Sequence, residues 1–144
     1  MGSPDDGRPL PGGCFCGAVR FEIAAVFDAR YCHCGYCRRS TGAPLSATAV
    51  ARREDFRLTA GTVVPLPRTT GAEHVCSACR QAVYFEFEAS IGVFASVPIG
   101  LLDEPEACPP RYHQFFSRRL PWLHVHDTLP KYPEGRVPHP RDRR

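Results

Sequence analysis

The chain has 144 residues, 43% of them apolar, and a formal net charge of +3 with its histidines neutral. That is one domain of ordinary size, and no apolar run approaches the ~18 residues that a bilayer-spanning helix needs. A membrane span is excluded on that count, a strongly basic nucleic-acid surface is not indicated, and a soluble, cytoplasmic protein is the expectation.

In chain order, residues 1–11 are rich in Pro, Gly and charge without periodicity and read as a mobile N-terminal segment. Val19 to Ile23 alternates apolar Val19, Phe21 and Ile23 with Arg20 and Glu22, the pattern of a half-buried strand. Weaker strand patterns follow at Leu45 to Ala51, Phe56 to Thr59 and Val63 to Leu66. Val83 to Phe87 repeats the clear alternation, and Ile91 to Val97, Tyr112 to Phe116 and Trp122 to Val125 complete the set. Fifteen prolines and twelve glycines leave room for only a turn or two of helix, placed near Asp103 to Ala107. Residues 133–144 read as a mobile, basic tail. The fold class expected is mainly β: a small, loop-rich, antiparallel domain over residues 12–132 that needs metal to tie its loops together.

Seven of the eight cysteines fall in three clusters, Cys14-x-Cys16, Cys32-x-Cys34-x-x-Cys37 and Cys76-x-x-Cys79. Seven is odd for disulfides and suits two zinc ions, one closed by four thiolates and one held by three with a position left for water or substrate. Two short clusters from distant segments can complete one tetrahedron, which favours Cys14, Cys16, Cys76 and Cys79 for the closed site. Cys32, Cys34 and Cys37 come from one segment, with Gly35 free to bend around the metal. Gly12, Gly13 and Gly17 favour a turn at the first pair. Seven bound thiolates with two divalent ions also bring the chain close to neutrality.

Two other readings of the cysteines are weaker. A secreted disulfide scaffold is disfavoured because residues 1–11 carry no apolar leader and the chain is long enough to have its own core. A redox pair at Cys34 and Cys37 needs a strand before it and a helix after it, and Gly42 and Pro44 oppose a long helix there. Cys108, alone between Ala107 and Pro109, reads as a small buried apolar residue.

The order of these motifs resembles one family. Gly12-Gly13-Cys14-x-Cys16-Gly17-x-Val19-Arg20-Phe21-Glu22 comes first, then Cys32-His33-Cys34-x-x-Cys37-Arg38-Arg39-x-Thr41-Gly42-Ala43-Pro44. Cys76-x-x-Cys79, Gly100-x-Leu102-Asp103-x-Pro105, His113, Ser117, Pro121-Trp122 and Asp127-x-Leu129-Pro130 follow. The series is similar to that of the glutathione-dependent formaldehyde-activating enzymes, a family that includes centromere protein V, over about Gly12 to Tyr132. The resemblance implies a mu-shaped β fold and two zinc sites, with the cysteines partitioned as above. It implies a carbon–sulfur lyase that joins formaldehyde and glutathione into S-hydroxymethylglutathione. A glutathione-like thiol and a small aldehyde are then the partners, with no nucleic acid or membrane; exposed strand edges leave a homodimer open. The alternative is a zinc-stabilised binding module without chemistry.

Beside the three open-site cysteines, the candidate site residues are His33, Arg38 and Arg39. The arginines could draw charge from the thiolates or grip a carboxylate, with at least one expected to face solvent. His33 is a candidate proton carrier or support for the ligands. Ser40 and Thr41 suit a turn, and His113 a hydrogen-bonding position close to the site. His124 and His126 share a face expected to be wet, and Trp122 is expected in the core or a pocket wall. Arg80 departs from the glycine that follows such a knuckle in the family; a left-handed residue there costs on the order of 1 kcal/mol. His74 stands where an arginine is expected.

Overall fold

The computed structural model describes residues 7–135. Among the described residues, ten strands form two sheets, accompanied by one α-helix. The smaller sheet joins β1 (Leu10–Gly13), β2 (Arg20–Ile23) and β5 (Phe56–Ala60) in the order β1-β2-β5. The larger contains β3 (Asp28–Cys32), β4 (Ser46–Arg52), β6 (Val63–Arg68), β7 (Gly71–Cys76), β8 (Ala82–Phe87), β9 (Phe94–Pro98) and β10 (His113–Gln114). Its order is β10-β3-β4-β9-β8-β7-β6, antiparallel except for β10 beside β3.

The core lies where alternation put it. Val19, Phe21 and Ile23 are fully buried and pack with Phe56, Ala49, Ala51, Ala95, Val97 and Val83. Small residues on β4 and β9 let the two sheets approach, and Gly12 does the same for β1. A Cβ at Gly12 would stand 2.5 Å from the Phe21 ring and 2.6 Å from the Leu101 carbonyl. Gly12 and Gly13 thus serve a strand, while the turn expected at the first cysteine pair spans Cys14 to Gly17, closed by Gly17 N–H donating to the Cys14 carbonyl at 3.1 Å.

Several expectations shift. β1 takes in Leu10 and Pro11, residues that the sequence leaves in its first segment, because Leu10 buries its side chain. Residues 1–6 and 136–144, the rest of the two expected mobile ends apart from 7–9 and 133–135, lie outside the described residues. The strand expected at Ile91 to Val97 starts only at Phe94, after a 3-10 turn at Glu88–Ser90. That at Tyr112 to Phe116 shortens to His113–Gln114 because Phe115 adopts a left-handed φ of 54°. Trp122 to Val125 forms no strand, and Trp122 is 64% exposed rather than in the core. The helical turn near Asp103 is a 3-10 turn at Pro105–Ala107. Cys108 is fully buried.

The one α-helix, α1 (Gly35–Thr41), follows the second cysteine cluster. Gly35 opens this helix, and Cys34 is its N-cap, its sulfur accepting from Cys37 N–H at 3.3 Å. Gly42 closes the helix at φ 74°, donating its N–H to the Arg38 carbonyl at 2.7 Å. Seven residues fit between cap and glycine, so the breakers limit the helix without preventing it.

Candidate metal centres and the cavity beside them

The seven clustered cysteines gather into two groups, Cys14, Cys16, Cys76 and Cys79 in one and Cys32, Cys34 and Cys37 in the other, with all sulfurs of a group within 4.8 Å of one another. In the first group Cys14 and Cys16 sulfurs are 3.6 Å apart and Cys16 and Cys76 sulfurs 3.8 Å. Four sulfurs at the usual 2.3 Å zinc–sulfur distance form a tetrahedron with edges of ~3.8 Å. Backbone amides of Val19, Ala18, Ala78 and Cys79 point at the sulfurs over 3.3 to 3.4 Å, the knuckle arrangement that stabilises thiolate charge. Arg80 takes the left-handed conformation, φ 67°, and its N–H closes the knuckle on the Cys76 carbonyl at 3.0 Å.

Three sulfurs this close cannot all ionise by themselves. Contact with Cys32 and Cys37 holds the Cys34 thiol far below its ordinary range, near 2, while contact with Cys32 and Cys34 pushes Cys37 up and contact with Cys34 pushes Cys32 up. A divalent cation removes that conflict by neutralising all three, so the donor set is compatible with zinc. The β3 to α1 context that a redox pair needs is also present. What distinguishes this group is its third thiol, Cys32, at the end of β3 and at ligand distance from the other two.

The three-cysteine group opens into a cavity of about 440 Å³ between α1 and one face of the large sheet. Strand register explains its wall. Cys32 lies opposite Ser46, and Arg30 opposite Thr48, which lies opposite Pro98, so side chains of three adjacent strands share that face. Phe85, Phe87 and Phe115 supply aromatic surface, and Tyr36, Ser40 and Thr41 project from α1.

The polar groups in this wall are unusual. Arg30 is 8% exposed and its Nε has no hydrogen-bond partner, while its Nη1 lies 3.5 Å from Asp28, a carboxylate already accepting from the Tyr112 hydroxyl at 2.6 Å. The buried Tyr36 hydroxyl and Ser46 hydroxyl also lack partners at bonding geometry. Burial, with the Glu73 carboxylate nearby, raises the Tyr36 pKa. Glu73 itself lines the cavity and pairs with Arg68 at 3.2 Å. None of Arg30, Tyr36, Ser46 and Glu73 was singled out by the sequence, where Arg30 and Glu73 read as outward charges.

The residues that were singled out divide differently. His33 is completely buried, but it does not line the cavity: it stacks beside His113 and meets Phe116 edge-on. Its Nε2 is 2.8 Å from His113 Nδ1, and His113 Nε2 is 2.8 Å from Asp127. Burial, with His113 and Arg119 nearby, lowers the His33 pKa to about 4 and keeps it neutral. Arg38 donates to the carbonyls of His33 and Arg118 at 3.2 and 3.3 Å, and Arg39 is exposed; neither lines the cavity. Thr41 and Ser40 donate to the Cys37 carbonyl at 2.6 and 3.3 Å, as turn-fixing hydroxyls do. His74 stacks on Tyr84 and meets Glu86 at 3.0 Å. His124 and His126 are exposed.

Comparison with known proteins agrees with this arrangement. The family model described as "Glutathione-dependent formaldehyde-activating enzyme" matches residues 9–118. A curated Halomonas elongata protein named "Putative glutathione-dependent formaldehyde-activating enzyme" is 25% identical over 129 residues, covering 81% of this chain and 80% of its own. A crystal structure of a Rhodobacter sphaeroides protein superposes with a TM-score of 0.53 at 26% identity, over 65% of this chain and 87% of that one. With the match spanning both cysteine groups and the cavity wall, the chain belongs to the glutathione-dependent formaldehyde-activating enzyme family.

Proposed function

We propose that this protein is a zinc-dependent carbon–sulfur lyase that interconverts a thiol and a small aldehyde with their adduct, most simply glutathione and formaldehyde with S-hydroxymethylglutathione. The observation that carries the reading is the three-cysteine group, one ligand short of a closed site, facing a cavity large enough for a peptide-sized thiol. Cys14, Cys16, Cys76 and Cys79 hold a structural zinc, and Cys32, Cys34 and Cys37 hold the second. Bound there, zinc supplies the positive charge that keeps a substrate thiol ionised near neutral pH.

The chain's own residues do the rest. In the forward direction the carbon–sulfur bond forms as the carbonyl π pair moves to oxygen, and the proton lost by the thiol is balanced by one gained at that oxygen. The Tyr36 hydroxyl, buried in the cavity wall beside Glu73, donates a hydrogen bond to it. Phe85, Phe87 and Phe115 exclude water. Because the uncatalysed addition is already easy, positioning is the main contribution. Arg38 and His33 act by positioning: Arg38 donates to the carbonyl of His33, the residue between two ligands, and the His33 ring ties the same loop to His113. Arg39 adds only exposed charge.

Two-dimensional exchange NMR of formaldehyde with glutathione, at catalytic protein concentration and with zinc present, tests the reading. Faster exchange than in buffer is expected. Exchange no faster than buffer removes the lyase and leaves the binding module.

A further inference from the structure

We infer that Arg30 is the carboxylate anchor of the thiol substrate, so that this site selects thiols carrying a carboxylate. This rests on the reading above that the thiol sulfur binds beside Cys32, Cys34 and Cys37.

A guanidinium so buried is costly unless its donors are used. Arg30 has an ion-pair contact with Asp28 on one arm at 3.5 Å, yet that carboxylate oxygen is already engaged by Tyr112 at 2.6 Å, and Nε has no partner. Arg30 is among the residues that line the cavity. Arg30 and Cys32 stand two residues apart on β3 and so point to the same side, about 6.6 Å apart along the strand. A thiol whose sulfur lies at the cysteine group can therefore reach Arg30 with a carboxylate a few bonds away, completing a charge-assisted hydrogen bond to Nε. The arginines next in sequence to the cysteines are otherwise occupied, Arg38 by two carbonyls and Arg39 by solvent. The opposite charge in the wall, Glu73, already has Arg68.

The test compares glutathione with its diethyl ester, which keeps the thiol and the shape but removes both carboxylates. With zinc-loaded wild-type protein and no aldehyde, titration calorimetry should show the ester binding roughly tenfold or more weakly. Arg30→Gln should weaken glutathione by a similar factor and leave the ester unchanged, with Arg30→Lys between. In turnover the loss should appear in KM and not in kcat. Asp28→Asn combined with Arg30→Gln gives a variant without an unpaired buried carboxylate, should the single change fail to fold. Equal binding of thiol and ester by the wild type, or equal weakening of both by the substitution, overturns the inference, as does a loss of zinc without a change in thiol preference. Binding discrimination without accelerated exchange would sink the lyase and keep Arg30; accelerated exchange without discrimination would do the reverse.

Discussion

His33 and His113, eighty residues apart, share a 2.8 Å hydrogen bond between two buried imidazoles. The far end fixes its direction. With His113 neutral, Asp127 accepts from its Nε2–H, its Nδ1 is an acceptor for His33 Nε2–H, and His33 Nδ1 is the bare nitrogen without a partner. Lys131 completes the series on Asp127 at 2.9 Å. The segment 127–131 is thus tied to the loop that carries the open cysteine group.

His113→Phe leaves the His33 N–H buried without an acceptor and should cost about 1–3 kcal/mol of stability. Urea unfolding of the zinc-loaded protein checks this. The double change, with His33→Phe as well, should cost less than the two single losses added together, since no orphan donor then remains.

Stability should fall as pH drops from the ordinary histidine range near 6.5 towards the folded His33 value of about 4. The sign follows from linkage: the lowered pKa means that the unfolded chain binds the proton first, so the contribution is full above 6.5 and lost as pH falls to 4. Its ceiling is roughly 3 kcal/mol. The difference in unfolding midpoint between wild type and His33→Asn should shrink over that window, acid release of metal being common to both proteins.

Metal analysis separates the two cysteine groups. Wild type is expected to hold two zincs, and Cys34→Ser should give a folded, inactive protein holding one. Cys76 is completely buried in the main core, so Cys76→Ser should lose the fold with the ion. A Cys34→Ser product that is unfolded would make the second group structural as well.

Arg80 is exposed and carries a left-handed backbone. Arg80→Gly should therefore raise stability by up to about 1 kcal/mol, with the greater freedom of unfolded glycine subtracting part of the gain. A midpoint shift in thermal unfolding, with zinc content unchanged, is the measurement.

The β class and the division of the seven cysteines were legible because both rest on local signals, alternation and ligand spacing. β3 and β7 were not, for one shared reason: their inward positions carry Arg30 and Glu73, charged residues that face a cavity rather than a core. Alternation treats such a residue as outward and cancels the pattern. α1 was obscured by Gly42 and Pro44, read as breakers, whereas Gly42 is the left-handed cap that closes the helix. The partner of His33 could not be found either, since only pairing of β10 beside β3 brings residue 113 next to it.

β6 forms one border of the large sheet among the described residues, and Pro65 and Pro67 occupy alternate positions along it. Proline has no amide hydrogen to offer a ladder, and the opposite border, β10, is two residues long. Neither rim can template another chain. The large sheet thereby carries its own chain terminators against fibrous growth along either rim.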